Sequence, residues 1–151
     1  MLTAQHYHDH AHQTPADSVA LTYEDRFLRR KVLTLASGDQ LLVDLPQTTS
    51  LNHGGVLVTF CRREIRIDAA PEPLLAITGS LLHRISWHIG NRHTPCQIED
   101  SRLLIQRDHV MADMLARIGA SVTEVVEPFT PEGGAYGHGR THGHDHGHTH
   151  A

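Results

Sequence analysis

The last two dozen residues limit the fold more than any other stretch, because they cannot join a core. Pro128, Pro131, Gly133, Gly134 and Gly137 break helix and strand alike. His138, His142, His144, His146, His148 and His150 follow, set mostly among Gly, Asp and Thr. So little apolar surface cannot offset the entropy lost on ordering, so residues 131–151 read as a flexible His-rich tail. Whatever folds must be built by the chain before it.

That preceding chain changes pattern once. From Ser18, Val19, Leu21 and Tyr23 alternate. Lys31 to Leu35 and Gln40 to Leu45 are short β-rich runs joined by Ser37-Gly38-Asp39, a hairpin signal. Val56 to Phe60 and Glu64 to Asp68 form a second pair across Cys61-Arg62-Arg63. These runs predict a small β-rich domain over residues 18–73, closed by Pro71-Glu72-Pro73. Its basic clusters are Arg26, Arg29, Arg30 and Lys31, then Arg62, Arg63 and Arg66; they read as outward faces of strands before they read as a patch for an acidic partner.

After Pro73 helical and strand periods alternate. Leu74 to Thr78 reads as a strand and Ser80 to Ile89 as a helix, capped by Ser80 and stopped at Gly90. Cys96 to Glu99 and Leu103 to Gln106 read as strands. Asp108 caps a second helix whose apolar face is Val110, Met111, Met114, Leu115 and Ile118, closed by Gly119. On that spacing the two methionines read as core rather than as soft metal ligands. Val122 to Val126 is a last strand. The order βαββαβ predicts a ferredoxin-like domain over residues 74–130, and the fold class is α+β.

The outlying compositional number is fifteen histidines in 151 residues; six lie in residues 136–151 and four in residues 1–12. His6, His8, His10 and His12 recur at a spacing of two, with Asp9 among them. Residues 1–17 have little to bury and read as a disordered arm. In an extended chain its four imidazoles would line one edge, fit for weak metal binding; the alternative is a solvated polar tail. A net charge of −4 argues against a non-specific nucleic-acid binder. No apolar run reaches the length of a membrane span and no signal peptide is apparent, so the expected compartment is the cytoplasm. Cys61 and Cys96 have no CxxC partner; they read as small buried apolar residues, not as a zinc knuckle or a disulfide.

The chemistry centres on His88-Ile89-Gly90-Asn91-Arg92-His93. The chain is expected to turn sharply at Gly90-Asn91 and present His93 beyond a helix end. Imidazole is largely neutral near neutral pH and is a ready ligand for borderline metals. One His cannot hold a metal well, so other ligands must come from the fold, a second chain or a tail. His88, on the apolar face with Leu81 and Ile85, reads as a satisfied core histidine. His53 and His83 have no neighbours at ligand spacing.

Four blocks in order carry a resemblance. They are His88 to Glu99 (HIGNRHTPCQIE), then Asp108-His109-Val110 with Asp113-Met114-Leu115, then Glu127-Pro128-Phe129, then Pro131 to Tyr136 (PEGGAY). Together they resemble UreE, the urease accessory nickel chaperone family. The likeness covers residues 18 to 136 and the His-rich end. It implies a homodimer whose two GNRH histidines, His93 here, share one nickel ion. It also implies delivery of Ni(II) to apo-urease with the other accessory proteins, notably a GTPase. His109 is a weaker candidate ligand: where some relatives carry a second His two positions earlier, this chain has Arg107.

Imidazole also suits Zn(II) and Cu(II), so histidine alone cannot select nickel. Two anchored ligands with mobile tail ligands would let the ion leave by exchange, and protonation would weaken it as pH falls. A competing class is a His-rich zinc, copper or nickel buffer or detoxification protein. A metal-dependent hydrolase is the weakest reading, because HExxH, Gly-x-Ser-x-Gly and a carboxylate–His pairing at a recognisable spacing are all missing. The chain is therefore not expected to be an enzyme.

Overall fold

The structure is a computed structural model and describes residues 1–133. The tail candidates His138, His142, His144, His146, His148 and His150 lie outside the described residues. The chain divides into two compact units, the first Met1–Ala70 and the second starting at Pro71.

The first unit is built on one six-stranded sheet. Its strands are β1 (Leu2–His8), β2 (Asp17–Leu21), β3 (Phe27–Thr34), β4 (Gln40–Ser50), β5 (Val56–Thr59) and β6 (Glu64–Ala69). They lie in the order β2-β6-β5-β1-β4-β3. The hairpin β3–β4 turns at Gly38 with φ 95°, and β5–β6 turns at Arg62 with φ 65°. Alternate residues such as Val19, Leu33, Leu41, Val43, Leu57, Ile65 and Ile67 form one buried cluster. The unit has no helix, and the cluster is completed by Leu35 and Leu51 from the chain between strands.

Residues 1–17 are not a disordered arm. Their first half is β1, which lies inside the sheet, parallel to β4 and antiparallel to β5. Ala4 is fully buried, and Leu2 and Tyr7 pack on the core. The register shifts between Ala4 and His6. A bulge there exchanges the two faces, so Tyr7 turns inward while His6 and His8 stay exposed. A strict period of two puts Ala4, His6 and His8 on one side and hides the strand. His10 and His12 sit in the loop that follows, so the four imidazoles do not share one extended edge.

Arg26 is also not on an outward face. It is buried, donating from Nε to Leu51 O at 3.2 Å and from an Nη to Leu21 O at 3.0 Å. The other basic residues of both clusters are exposed, and Arg30 and Arg66 pair with Asp44 and Asp68. Gly55 lets the ring of Tyr7 approach the backbone: a Cβ there would lie 2.7 Å from Tyr7 Cε1. The Asn52 N–H donates to Tyr7 Oη at 2.8 Å, and burial pushes the phenol up to about 12.

The second unit runs β7 (Pro71–Thr78), α1 (Leu82–Asn91), β8 (Gln97–Ile98), β9 (Leu103–Gln106), α2 (His109–Arg117) and β10 (Ser121–Pro128). Its sheet order is β10-β7-β9-β8, antiparallel at every pairing. Leu75, Ile77, Leu103 and Ile105 of the sheet pack with Ile85 and Ile89 of α1 and with Met111 and Leu115 of α2. Both helices therefore cover one face. Met111 is buried and Met114 is partly buried against this cluster, as core spacing required.

Candidate metal centre

Ile85 and Ile89, one turn apart and buried, fix α1 on its sheet. The helix does not stop at Gly90. It continues to Asn91, and the left-handed residue that ends it is His93, with φ 57°. The His93 N–H donates to Gly90 O at 2.9 Å and the Thr94 N–H to Ile89 O at 3.4 Å. Those two bonds are the Schellman closure, in which the residue after the cap normally is glycine. Pro95 then bars any continuation.

The other helix shows the ordinary form. At the end of α2, Gly119 has φ 93° and donates to Ala116 O at 3.1 Å, while Ala120 donates to Leu115 O at 3.0 Å. The same turn is thus made twice, once with glycine and once with histidine. A side chain in that conformation costs roughly 1–2 kcal/mol, and such strain gathers at functional positions. The turn satisfies the terminal carbonyls and leaves the imidazole of His93 exposed. Arg92 adds a bond from its guanidinium to His88 O at 3.0 Å, so it braces the helix end.

His88 is half-buried rather than fully in the core, its ring edge-on to exposed Trp87 at 5.1 Å. Ser80 does not cap α1: the cap position is Leu81, with no side-chain bond. Asp108 does cap α2, its Oδ1 accepting from Val110 N at 2.9 Å and Met111 N at 3.3 Å. His109 is exposed on the first turn of α2. Arg107 donates to Leu74 O on β7 and Val125 O on β10, a structural tie at the position where a histidine partner for His109 would stand.

Residues 129–132 are tied to the segment that follows this turn. Phe129 is fully buried, the Thr130 N–H donates to Gln97 Oε1 at 2.8 Å, and the Glu132 N–H donates to Cys96 O at 2.8 Å. Residues up to 132 are therefore anchored three positions beyond His93 in the chain, at Cys96. The sequence pattern of prolines and glycines concealed Phe129 as a core residue. Burial pushes the Cys96 thiol up to about 11, and the Glu132 carboxylate adds to it, so the thiol stays protonated at neutral pH. Cys61 is exposed on the β5–β6 turn, against the expectation of a buried apolar residue.

In the first unit, His53 Nδ1 accepts the Ala69 N–H at 2.9 Å, a structural role. His8 and His12 stand 5.2 Å apart between ring centres, as do His10 and His12. His6 and His8 line a cavity of about 500 Å³ together with His12 and Glu64. Among the described residues no three His, Cys, Asp or Glu side chains already converge as a metal site.

Comparison with known proteins agrees with this arrangement of two units. Residues 1–70 match the UreE urease accessory protein N-terminal domain and residues 72–151 its C-terminal domain. The urease accessory protein UreE of Ruegeria sp. strain TM1040 is 66% identical over 141 residues, covering 93% of this chain and 80% of that protein. Those of Ruegeria pomeroyi and Rhodobacter capsulatus are 64% and 56% identical, each over 83% of this chain and over 84% and 80% of their own lengths. With both halves matched and identity this high over most of its length, the chain belongs to the UreE urease accessory protein family.

Proposed function

We propose that the chain is a nickel metallochaperone that binds Ni(II) and delivers it for assembly of the urease metallocentre. The observation that carries this reading is His93: an exposed imidazole, held in a strained left-handed turn, in a member of a urease accessory family. It acts as an accessory protein and not as an enzyme. Its second unit is read as the ferredoxin-like, split βαβ class.

The working form is a homodimer in which two copies of His93 share the ion. Apolar side chains left exposed on the second unit, Trp87 and Val110 among them, offer surface that a second copy can cover. The tail histidines His138, His142, His144, His146, His148 and His150 complete the coordination, and His109 is a subsidiary ligand. The anchor of Glu132 at Cys96 supports the tail's part, since it holds the end of the described chain to a residue three positions after His93. Zn(II) and Cu(II) would compete for the same imidazoles. The recipients are the urease accessory GTPase and the apo-urease accessory complex, in the cytoplasm; no described helix is long and apolar enough to cross a membrane.

Two variants test this. His93→Ala should abolish the tight nickel site shared by a dimer and sharply reduce urease activation, with the tail intact. Deleting residues 137–151 should leave that one site in place. If the deletion removes most of the binding and His93→Ala removes none, the chain is a His-rich metal buffer instead.

A further inference from the structure

We propose that the loop after β1 forms a second metal site, separate from His93, in which His8, His10 and His12 bind a tetrahedrally coordinated divalent ion, zinc by geometry. The loop is built rather than loose. The His12 and Gln13 N–H groups donate to Glu64 Oε1 at 2.8 and 3.2 Å. The Gln13 side chain donates to Arg62 O at 2.7 Å, and the Ala16 N–H to Glu64 O at 2.9 Å. Those bonds pin residues 12–16 against β6 and return His12 toward the end of β1, where the bulge has left His8 outside.

Glu64 supplies the second requirement. Its side chain is only 5% exposed, one carboxylate oxygen holds the two loop N–H groups, and the other lies 3.4 Å from His12 Nδ1. A carboxylate on one ring nitrogen fixes the tautomer and leaves Nε2 as the donor, the usual second-shell arrangement of a metal-binding histidine. Glu64 is thus a positioning residue for His12.

Spacing supplies the third. At metal–nitrogen distances near 2.0–2.1 Å, a ligated ring centre lies about 3.2 Å from the ion. Two such centres are then about 5.2 Å apart at the tetrahedral angle and about 4.5 Å at a right angle. The centres of His8 and His12, and of His10 and His12, are 5.2 Å apart. The nitrogens do not yet converge. The three rings belong to exposed residues; His12 keeps its carboxylate partner, and the side chains of His8 and His10 have rotamer freedom to turn their nitrogens toward His12. Arg62 also borders the cavity and opposes a cation, so the site should be of moderate affinity. Water completes the fourth position.

The proposal shares no residue with the His93 reading and stands or falls apart from it. The test uses the full-length chain, uniformly labelled with nitrogen-15 and titrated with zinc chloride. The His12 and Gln13 amides and the three imidazoles should shift to saturation. The double variant His8→Asn, His10→Asn should weaken that response at least tenfold with unchanged thermal unfolding, while His93→Ala should leave it intact. Glu64→Gln, which keeps an oxygen for the loop N–H groups, should weaken it less than the double variant. Unmoved His12 and Gln13 amides while other histidines titrate would overturn the site, as would equal zinc response in the double variant.

Discussion

His93 does a task that chain geometry reserves for glycine. His93→Gly relieves the left-handed conformation but adds backbone freedom to the unfolded chain, so the two changes largely offset. Urea unfolding should show a stability within about 1 kcal/mol of the parent, while nickel binding is lost. Gly119→Ala, in the matching turn of α2, should instead lose about 1 kcal/mol. A large loss in His93→Gly would mean that the imidazole is structural, and would undercut its role as a ligand. Gly55→Ala should cost about 1–3 kcal/mol, because the new methyl would meet the Tyr7 ring at 2.7 Å and force it to move. Little of this is legible residue by residue. Gly90, directly after Ile89 where α1's apolar stripe ends, looks like the stop, yet the backbone spends its left-handed residue three positions later. The GNRH block marks His93 as functional but says nothing of its conformation.

At the scale of elements, α2 was legible in its bounds, because Asp108 caps it, Met111 and Leu115 face inward and Gly119 closes it, although Val110 and Ile118, expected on the same face, are exposed. Asp108→Ala should therefore destabilise the second unit by about 1 kcal/mol in chemical unfolding. The segment from α1 to β8 was less legible, since Leu81 caps without a side-chain bond and β8 has only two residues. Strand β1 escaped for a different reason: a bulge breaks the period on which strand reading depends. Long-range ties also do not show in sequence. Arg102 joins Glu99 at 2.8 Å and Glu127 at 2.6 Å, so β10 is held to the β8–β9 turn. Its guanidinium keeps the Glu127 carboxyl below the usual glutamate range. A lowered folded value stabilises above the unfolded value and is lost as pH falls through the folded one. Arg102→Met should therefore melt lower than the parent at pH 7, with the gap closing below about pH 4 as glutamate protonates.

For the whole molecule, charge and histidine content set the behaviour with metal. Every ligand proposed from the chain is an imidazole, so protons compete with the ion at each one. Nickel affinity measured by calorimetry should fall steeply between about pH 7 and pH 5.5, where ordinary imidazoles charge. Unchanged stoichiometry and affinity at the lower pH would rule out histidine ligation. The change of hydrophobic period falls at Pro73, whereas the first compact unit ends at Ala70, because residues 71–73 already belong to β7.

The irregularity between Ala4 and His6 has a consequence for any relative or variant that gains or loses a residue there. Removing Gln5 would take out the extra residue and leave the facing unchanged, with Ala4 and Tyr7 two positions apart on the buried side and His6 and His8 still toward solvent. Adding one residue there while the single bulge persists would instead exchange the two sides, sending Tyr7 to solvent and His6 and His8 to the oily interior. A one-codon insertion far from His93 would thus turn a chain that can meet metal at its surface into one that cannot close its first sheet.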